Sequence, residues 1–95
     1  MWSYVPPLRE MRFVIDDVLR IPHSWPALER RAEIDADTAA QVLEEAGRFA
    51  SEVIAPINAA GDLEGCACVD GQVRTPQGFR GAWRAFVEAG WPALV

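Results

Sequence analysis

From Pro56 onward the chain is punctuated by glycine and proline at positions that leave little choice of local structure. Asp70-Gly71 stands between two short β-prone runs, Ala67-Cys68-Val69 and Gln72-Val73-Arg74. An Asp-Gly pair in that setting is the strongest short hairpin signal, because both central residues of the turn need φ > 0. The sequence therefore predicts a two-stranded ribbon over about residues 66–74, and a ribbon of that size is not stable alone and must lie on the helices. Thr75-Pro76 follows as an N-cap and a proline at the first helical position, where a missing N–H does no harm. It opens a helix over about 76–89, with Phe79, Ala82, Trp83, Phe86 and Val87 on its apolar face and Gly90 as its stop.

Upstream, the pattern is helical. Leu8, Met11, Ile15, Val18 and Leu19 recur at three- and four-residue spacing, with Val14 beside them, and predict a helix over about 7–20 that starts on Pro7 and ends by Pro22. The two prolines of Ile21-Pro22-His23-Ser24-Trp25-Pro26 make that stretch a loop, pinned to a neighbour by Trp25 and Leu28. Asp35 or Asp37 can cap a second helix, over about 37–60. Its apolar positions Val42, Leu43, Ala46, Phe49, Ala50, Val53, Ile54 and Ile57 form a face wide enough to suggest cover on more than one side. Pro56 should kink this helix and Gly61 should end it, with Asp62 bonding backbone N–H groups in the reversal that follows. The fold class is thus mainly α, three helices and a small β-hairpin, in a single partial domain spanning residues 1–95.

A chain of 95 residues that is 51% hydrophobic and carries four tryptophans has more apolar surface than so small a core can absorb. Folding at this size withdraws only about 60–65% of the surface from water. Trp83, Phe86, Trp91 and Leu94 are the side chains expected to remain in excess, and the apolar run from Trp91 to Val95 reads as a chain that was cut or continues elsewhere. A protein partner or self-association is the expectation. The net charge is −5, and all nine basic residues are arginines scattered without a stripe, which argues against nucleic acid. Arg9, Glu10, Arg12, Asp16 and Asp17 break up any secretory or membrane-spanning run near the start, so no membrane partner and a cytoplasmic location are expected.

No catalytic, cofactor-binding or metal-ligating residue is assigned from the residues themselves. Cys66-Ala67-Cys68, without a second Cys or His pair, supplies too few ligands for a four-coordinate zinc, and His23 is far off in sequence. The two cysteines read as semi-buried thiols, poorly placed for a mutual disulfide. Asp16-Asp17 and Glu44-Glu45 are adjacent on helices, point in different directions, and read as solvated faces rather than acid/base dyads. Gly61-Asp62-Leu63-Glu64-Gly65 follows a helix and has no lysine, so it is neither a dinucleotide fingerprint nor a phosphate loop. Ser24, Ser51, Thr38 and Thr75 have no His near them except His23, beside Ser24. Trp2, Trp25, Trp83 and Trp91 can stack a flavin or a base, but read first as core and interface residues.

Three clusters nevertheless carry a family resemblance. They are Pro7-Leu8-Arg9-Glu10-Met11-Arg12-Phe13, Gly61-Asp62-Leu63-Glu64-Gly65-Cys66, and Thr75-Pro76-Gln77-Gly78-Phe79, with Ala89-Gly90-Trp91 closing the series. In that order the chain resembles the N-terminus of the extended acyl-CoA dehydrogenases, which are FAD-dependent. The resemblance covers the first helix and nearly everything from Ala46 to Leu94, and is weak between Ile21 and Ala36. It implies a part of the N-terminal helical domain, which in that family buttresses the acyl pocket and the subunit contacts. It also implies the family's chemistry, oxidation of an acyl-CoA to its 2,3-enoyl form: a glutamate takes the α-proton and the β-hydride passes to FAD. None of the residues with those roles maps onto this chain, so FAD and acyl-CoA belong to the full-length family and not to this segment alone. The alternative is a free-standing helical interaction module that docks on a dehydrogenase or another protein.

Overall fold

The computed structural model describes residues 3–27 and 35–94. The chain divides into two compact units, Val5–Phe49 and Met1–Tyr4 with Ala50–Val95. The expected class holds: the described residues form four α-helices, short π and 3₁₀ turns, and one antiparallel hairpin. The boundaries differ from the sequence reading, each for a local reason. No helix among the described residues is long and apolar enough to cross a membrane.

In the unit Val5–Phe49, helix α1 is Leu8–Arg12. It begins one residue later than expected because Pro7 (φ −80°, ψ 62°) sits at the centre of an inverse γ-turn, with Leu8 N–H donating to the Pro6 carbonyl at 2.8 Å. From Phe13 to Val18 the backbone widens into a π-helix, and Leu19 N–H reaches back five residues to the Val14 carbonyl at 2.8 Å. That widening breaks the 3.6-residue phase on which the expected apolar face depended. Leu8 and Ile15 are half-buried, whereas Met11, Val14, Val18 and Leu19 face solvent. Arg20, in the left-handed region at φ +50°, ends the helical run before Pro22 is reached.

The expected loop after Arg20 holds two 3₁₀ turns, Ile21–His23 and Trp25–Ala27. Trp25 is half-buried, while Leu28 lies outside the described residues. Helix α2, Ala36–Phe49, starts where Asp35 accepts the Thr38 N–H at 2.7 Å, so Asp35 is the cap and Asp37 lies in the first turn. The N–H donation stabilises the carboxylate and holds the Asp35 pKa below the usual aspartate value. Of the expected wide face, Leu43, Ala46 and Phe49 are half-buried and Val42 is exposed, so this part of it is not covered on several sides. The helices α1 and α2 meet instead at Gly47, where a Cβ would stand 3.0 Å from the Leu8 side chain and 3.1 Å from that of Pro6.

In the second unit, Ala50–Ile54 is π-helical and helix α3 follows as Ala55–Glu64. Pro56 has no N–H to give and its ring crowds the carbonyl four residues back, at Glu52. The helix widens into π turns just ahead of the proline, at the place where the kink was expected. Gly61 does not end the helix, which runs on to Glu64 and stops at Gly65 with φ +67°. Asp62 is therefore an exposed helical residue and not a turn residue.

Strands β1, Ala67–Val69, and β2, Gln72–Arg74, pair antiparallel in the register Ala67↔Arg74, Cys68↔Val73 and Val69↔Gln72. Asp70 (φ +51°) and Gly71 (φ +77°) both take the left-handed conformation of the expected type I′ turn. The ribbon does not bury a face on the helices, since every residue of both strands is exposed.

Helix α4 is Phe79–Glu88, three residues later than expected. Gly78 (φ +94°, ψ −22°) is incompatible with a helix beginning at Pro76. It occupies the third position of a turn closed by Phe79 N–H on the Pro76 carbonyl at 3.3 Å, as a type II turn requires. The far end behaves as expected: Gly90 has φ +85° and its N–H donates to the Val87 carbonyl at 3.0 Å. A 3₁₀ turn, Trp91–Leu94, follows. Ala82, 8% exposed, and Pro76 are the buried apolar side chains among the described residues.

Candidate functional site

The second unit is organised around an open groove of about 1140 Å³. Ile57 and Asn58 of α3 form one wall, β2 and the Thr75–Gly78 turn the rim, and Phe79, Ala82, Trp83 and Phe86 of α4 the other wall. Two glycines set its shape. The Phe79 ring rests on α3 where a Cβ at Gly61 would lie 2.6 Å from the ring carbon Cε1, and a Cβ at Gly78 would lie 2.9 Å from the Ile57 Cγ2 methyl. Gln77 N–H donates to the Glu64 carboxylate at 3.0 Å, which ties the turn to the end of α3. Trp83 and Phe86, one helical turn apart, stack with centroids 5.5 Å apart at 29°. Trp83 is nonetheless 63% exposed.

The charges on this groove are one-sided. Among the described residues that line it, Arg74 and Arg80 are the charged ones and no carboxylate joins them, although the chain holds 14 acidic residues against nine basic ones. Neither arginine has an ion-pair partner among the described residues, where Arg48–Glu45 on α2 is the pair formed, at 2.9 Å.

Cys66 and Cys68 are both free thiols and are exposed, where semi-buried ones were expected; the short strand β1 covers neither. Among the described residues no three of His, Cys, Asp and Glu converge to hold a metal ion. Ser24 is next to His23 in sequence, but its hydroxyl donates to the Ile21 carbonyl at 2.8 Å and closes its own turn. Glu44, Glu45 and Asp17 are exposed, and Asp16 is half-buried. Of the tryptophans, Trp25 and Trp91 are half-buried, Trp83 is exposed, and Trp2 lies outside the described residues. Leu94 is exposed and Phe86 half-buried, and large apolar side chains are also exposed on the first helical run, at Leu63 and on the hairpin, so the excess of apolar surface is spread along the described residues rather than confined to the four side chains expected.

No family model matches the chain. A curated protein does: the 3-methylmercaptopropionyl-CoA dehydrogenase of Ruegeria pomeroyi is 39% identical over 95 aligned residues, which take in 97% of this chain. The chain matches a segment of an acyl-CoA dehydrogenase. It spans only 16% of that relative's length.

The described residues do not fit a flavin dinucleotide. A bound pyrophosphate calls for a glycine turn after a strand that aims backbone N–H groups from a helix start. Between β2 and α4 the turn Thr75–Gly78 carries Pro76 where a dinucleotide fingerprint has its first glycine, and β2 belongs to an antiparallel hairpin rather than to a parallel βαβ unit.

Proposed function

We propose that this chain is a structural segment of the N-terminal helical region of an FAD-dependent acyl-CoA dehydrogenase, forming a single partial domain that is not catalytic alone. The observation that carries this reading is the 39% identity running through almost the whole chain to a dehydrogenase of which it spans 16%. In the complete family enzyme an acyl-CoA is oxidised to its 2,3-enoyl thioester. The segment contributes packing surface to that enzyme, and its protein partner is the rest of a dehydrogenase. Its place of work on this reading is the cytoplasm.

The second reading, a free-standing interaction module, is favoured by the open groove beside the 63% exposed Trp83. The two readings share one expectation and part on another. On both, the purified chain reconstituted with FAD and passed through a desalting column comes through colourless; a stoichiometric flavin absorbance would overturn both. Only the first expects the chain to associate with a dehydrogenase from which the matching segment has been removed.

A further inference from the structure

Of the surfaces on this molecule, the α3–α4 groove is the one whose chemistry specifies an occupant. Its volume of about 1140 Å³ exceeds the range of about 300–1,000 Å³ typical of small-molecule pockets. It is open along the Trp83 side, so it would leave much of a small ligand in water. A stacked pair of large aromatic side chains in a groove also lined by Ile57 and Ala82 is instead the arrangement that seats apolar anchors of another polypeptide. The charge pattern narrows this further. Two unpaired guanidinium groups, with no carboxylate among the lining residues of a chain of net charge −5, complement an anionic partner.

We propose that this groove is the seat of a polypeptide segment from the other five-sixths of the dehydrogenase, one that lays large apolar side chains against Trp83 and Phe86 and a carboxylate against Arg74 and Arg80. The inference rests on the reading of the chain as a dehydrogenase segment. The relative it matches carries about five times as much additional chain, which is the polypeptide available to cover such a surface. The groove's rigidity suits the role. The glycine contacts at Gly61 and Gly78 and the Glu64–Gln77 bond fix both walls before any partner arrives, so less ordering is required on docking.

The test uses the R. pomeroyi relative lacking the stretch that this chain matches, co-expressed with the full 95-residue chain. Photo-crosslinking is done from Trp83→p-benzoylphenylalanine, and from Leu63→p-benzoylphenylalanine as the control, because Leu63 is 89% exposed and does not line the groove. The proposal expects co-purification, a crosslink from position 83 to a segment of the truncated relative that carries both apolar and acidic residues, and little from position 63. It also expects Arg74→Glu with Arg80→Glu to weaken the association about tenfold or more, with Arg→Lys at both positions restoring most of it. Co-purification with crosslinks from position 83 only to a second copy of the chain, or with none from that position, overturns the groove assignment and leaves the function reading standing. An association indifferent to the arginine reversals does the same. No co-purification at all overturns the function reading and the docking proposal with it.

Discussion

Replacing Gly78 with alanine tests the packing that shapes the groove. Two costs add at this position. The residue sits at φ +94°, so a Cβ brings left-handed strain of about 1–2 kcal/mol. That Cβ would also lie 2.9 Å from Ile57 Cγ2, a methyl fixed on a β-branched carbon that cannot swing aside without changing its rotamer, and such overpacking costs about 1–3 kcal/mol. Stiffening of the unfolded chain offsets about 0.4–1 kcal/mol. The net loss expected for Gly78→Ala is therefore about 1–4.5 kcal/mol. Gly90 supplies the control, since it has φ +85° but nothing within 4 Å of its would-be Cβ. Gly90→Ala should carry the strain alone, a net loss of about 0.5–1.5 kcal/mol. Urea melts followed by circular dichroism and tryptophan fluorescence would measure both. If the two variants fall within about 0.5 kcal/mol of each other, the close approach of the Pro76–Gly78 turn to α3 is not what holds the groove wall.

Three further substitutions test local conformation. Gly71→Val has open space around the new side chain but φ +77°, so it should cost about 1–2 kcal/mol through backbone strain alone; an unchanged midpoint would remove the type I′ turn from the account. Arg20→Gly should stabilise the first unit by about 0.5–1 kcal/mol, because a non-glycine residue there holds φ +50°, and a loss of stability on thermal melting would contradict the left-handed assignment. At Asp35 the folded pKa lies below the unfolded one, so its contribution is present above the unfolded aspartate value and is lost as pH falls through the folded value. Asp35→Ala should therefore melt lower than the parent at neutral pH and converge with it in acid, while Asp35→Asn keeps a capping group and shows no such pH dependence. A pH-independent gap for Asp35→Ala would mean that the carboxylate is not the capping species.

The elements legible in the sequence were those announced by backbone chemistry. Asp70-Gly71 declared a turn with two positive φ angles and Gly90 declared a stop, and both are found in place, while of the two capping carboxylates on offer, Asp35 and Asp37, the structure uses Asp35. Periodicity misled where the helix departed from 3.6 residues per turn. The π-helical stretches Phe13–Val18 and Ala50–Ile54 each shift the phase of the apolar face, and only the second has a visible cause in the sequence, at Pro56. The glycines misled in the opposite sense. Gly61 reads as a terminator, yet it is a helix-interior residue on which the Phe79 ring rests, and Gly47 plays the same part against Leu8 and Pro6. A glycine inside an otherwise helical pattern was the available signal for both. The groove itself was half legible. Its aromatic wall follows from the spacing of Phe79, Trp83 and Phe86, but Arg74 and Arg80 meet on it only because the hairpin and the turn bring β2 beside α4.

The central claim, that this chain is a working segment of a larger dehydrogenase, is tested most directly by complementation. The R. pomeroyi relative is prepared without its matching stretch, with and without this chain supplied in trans, and both preparations are assayed for bound flavin and for acyl-CoA-dependent dye reduction. The account predicts that the chain co-purifies with the truncated protein and that flavin content and dye reduction rise together in its presence. A truncated dehydrogenase whose flavin content and activity are the same with and without the chain would contradict it.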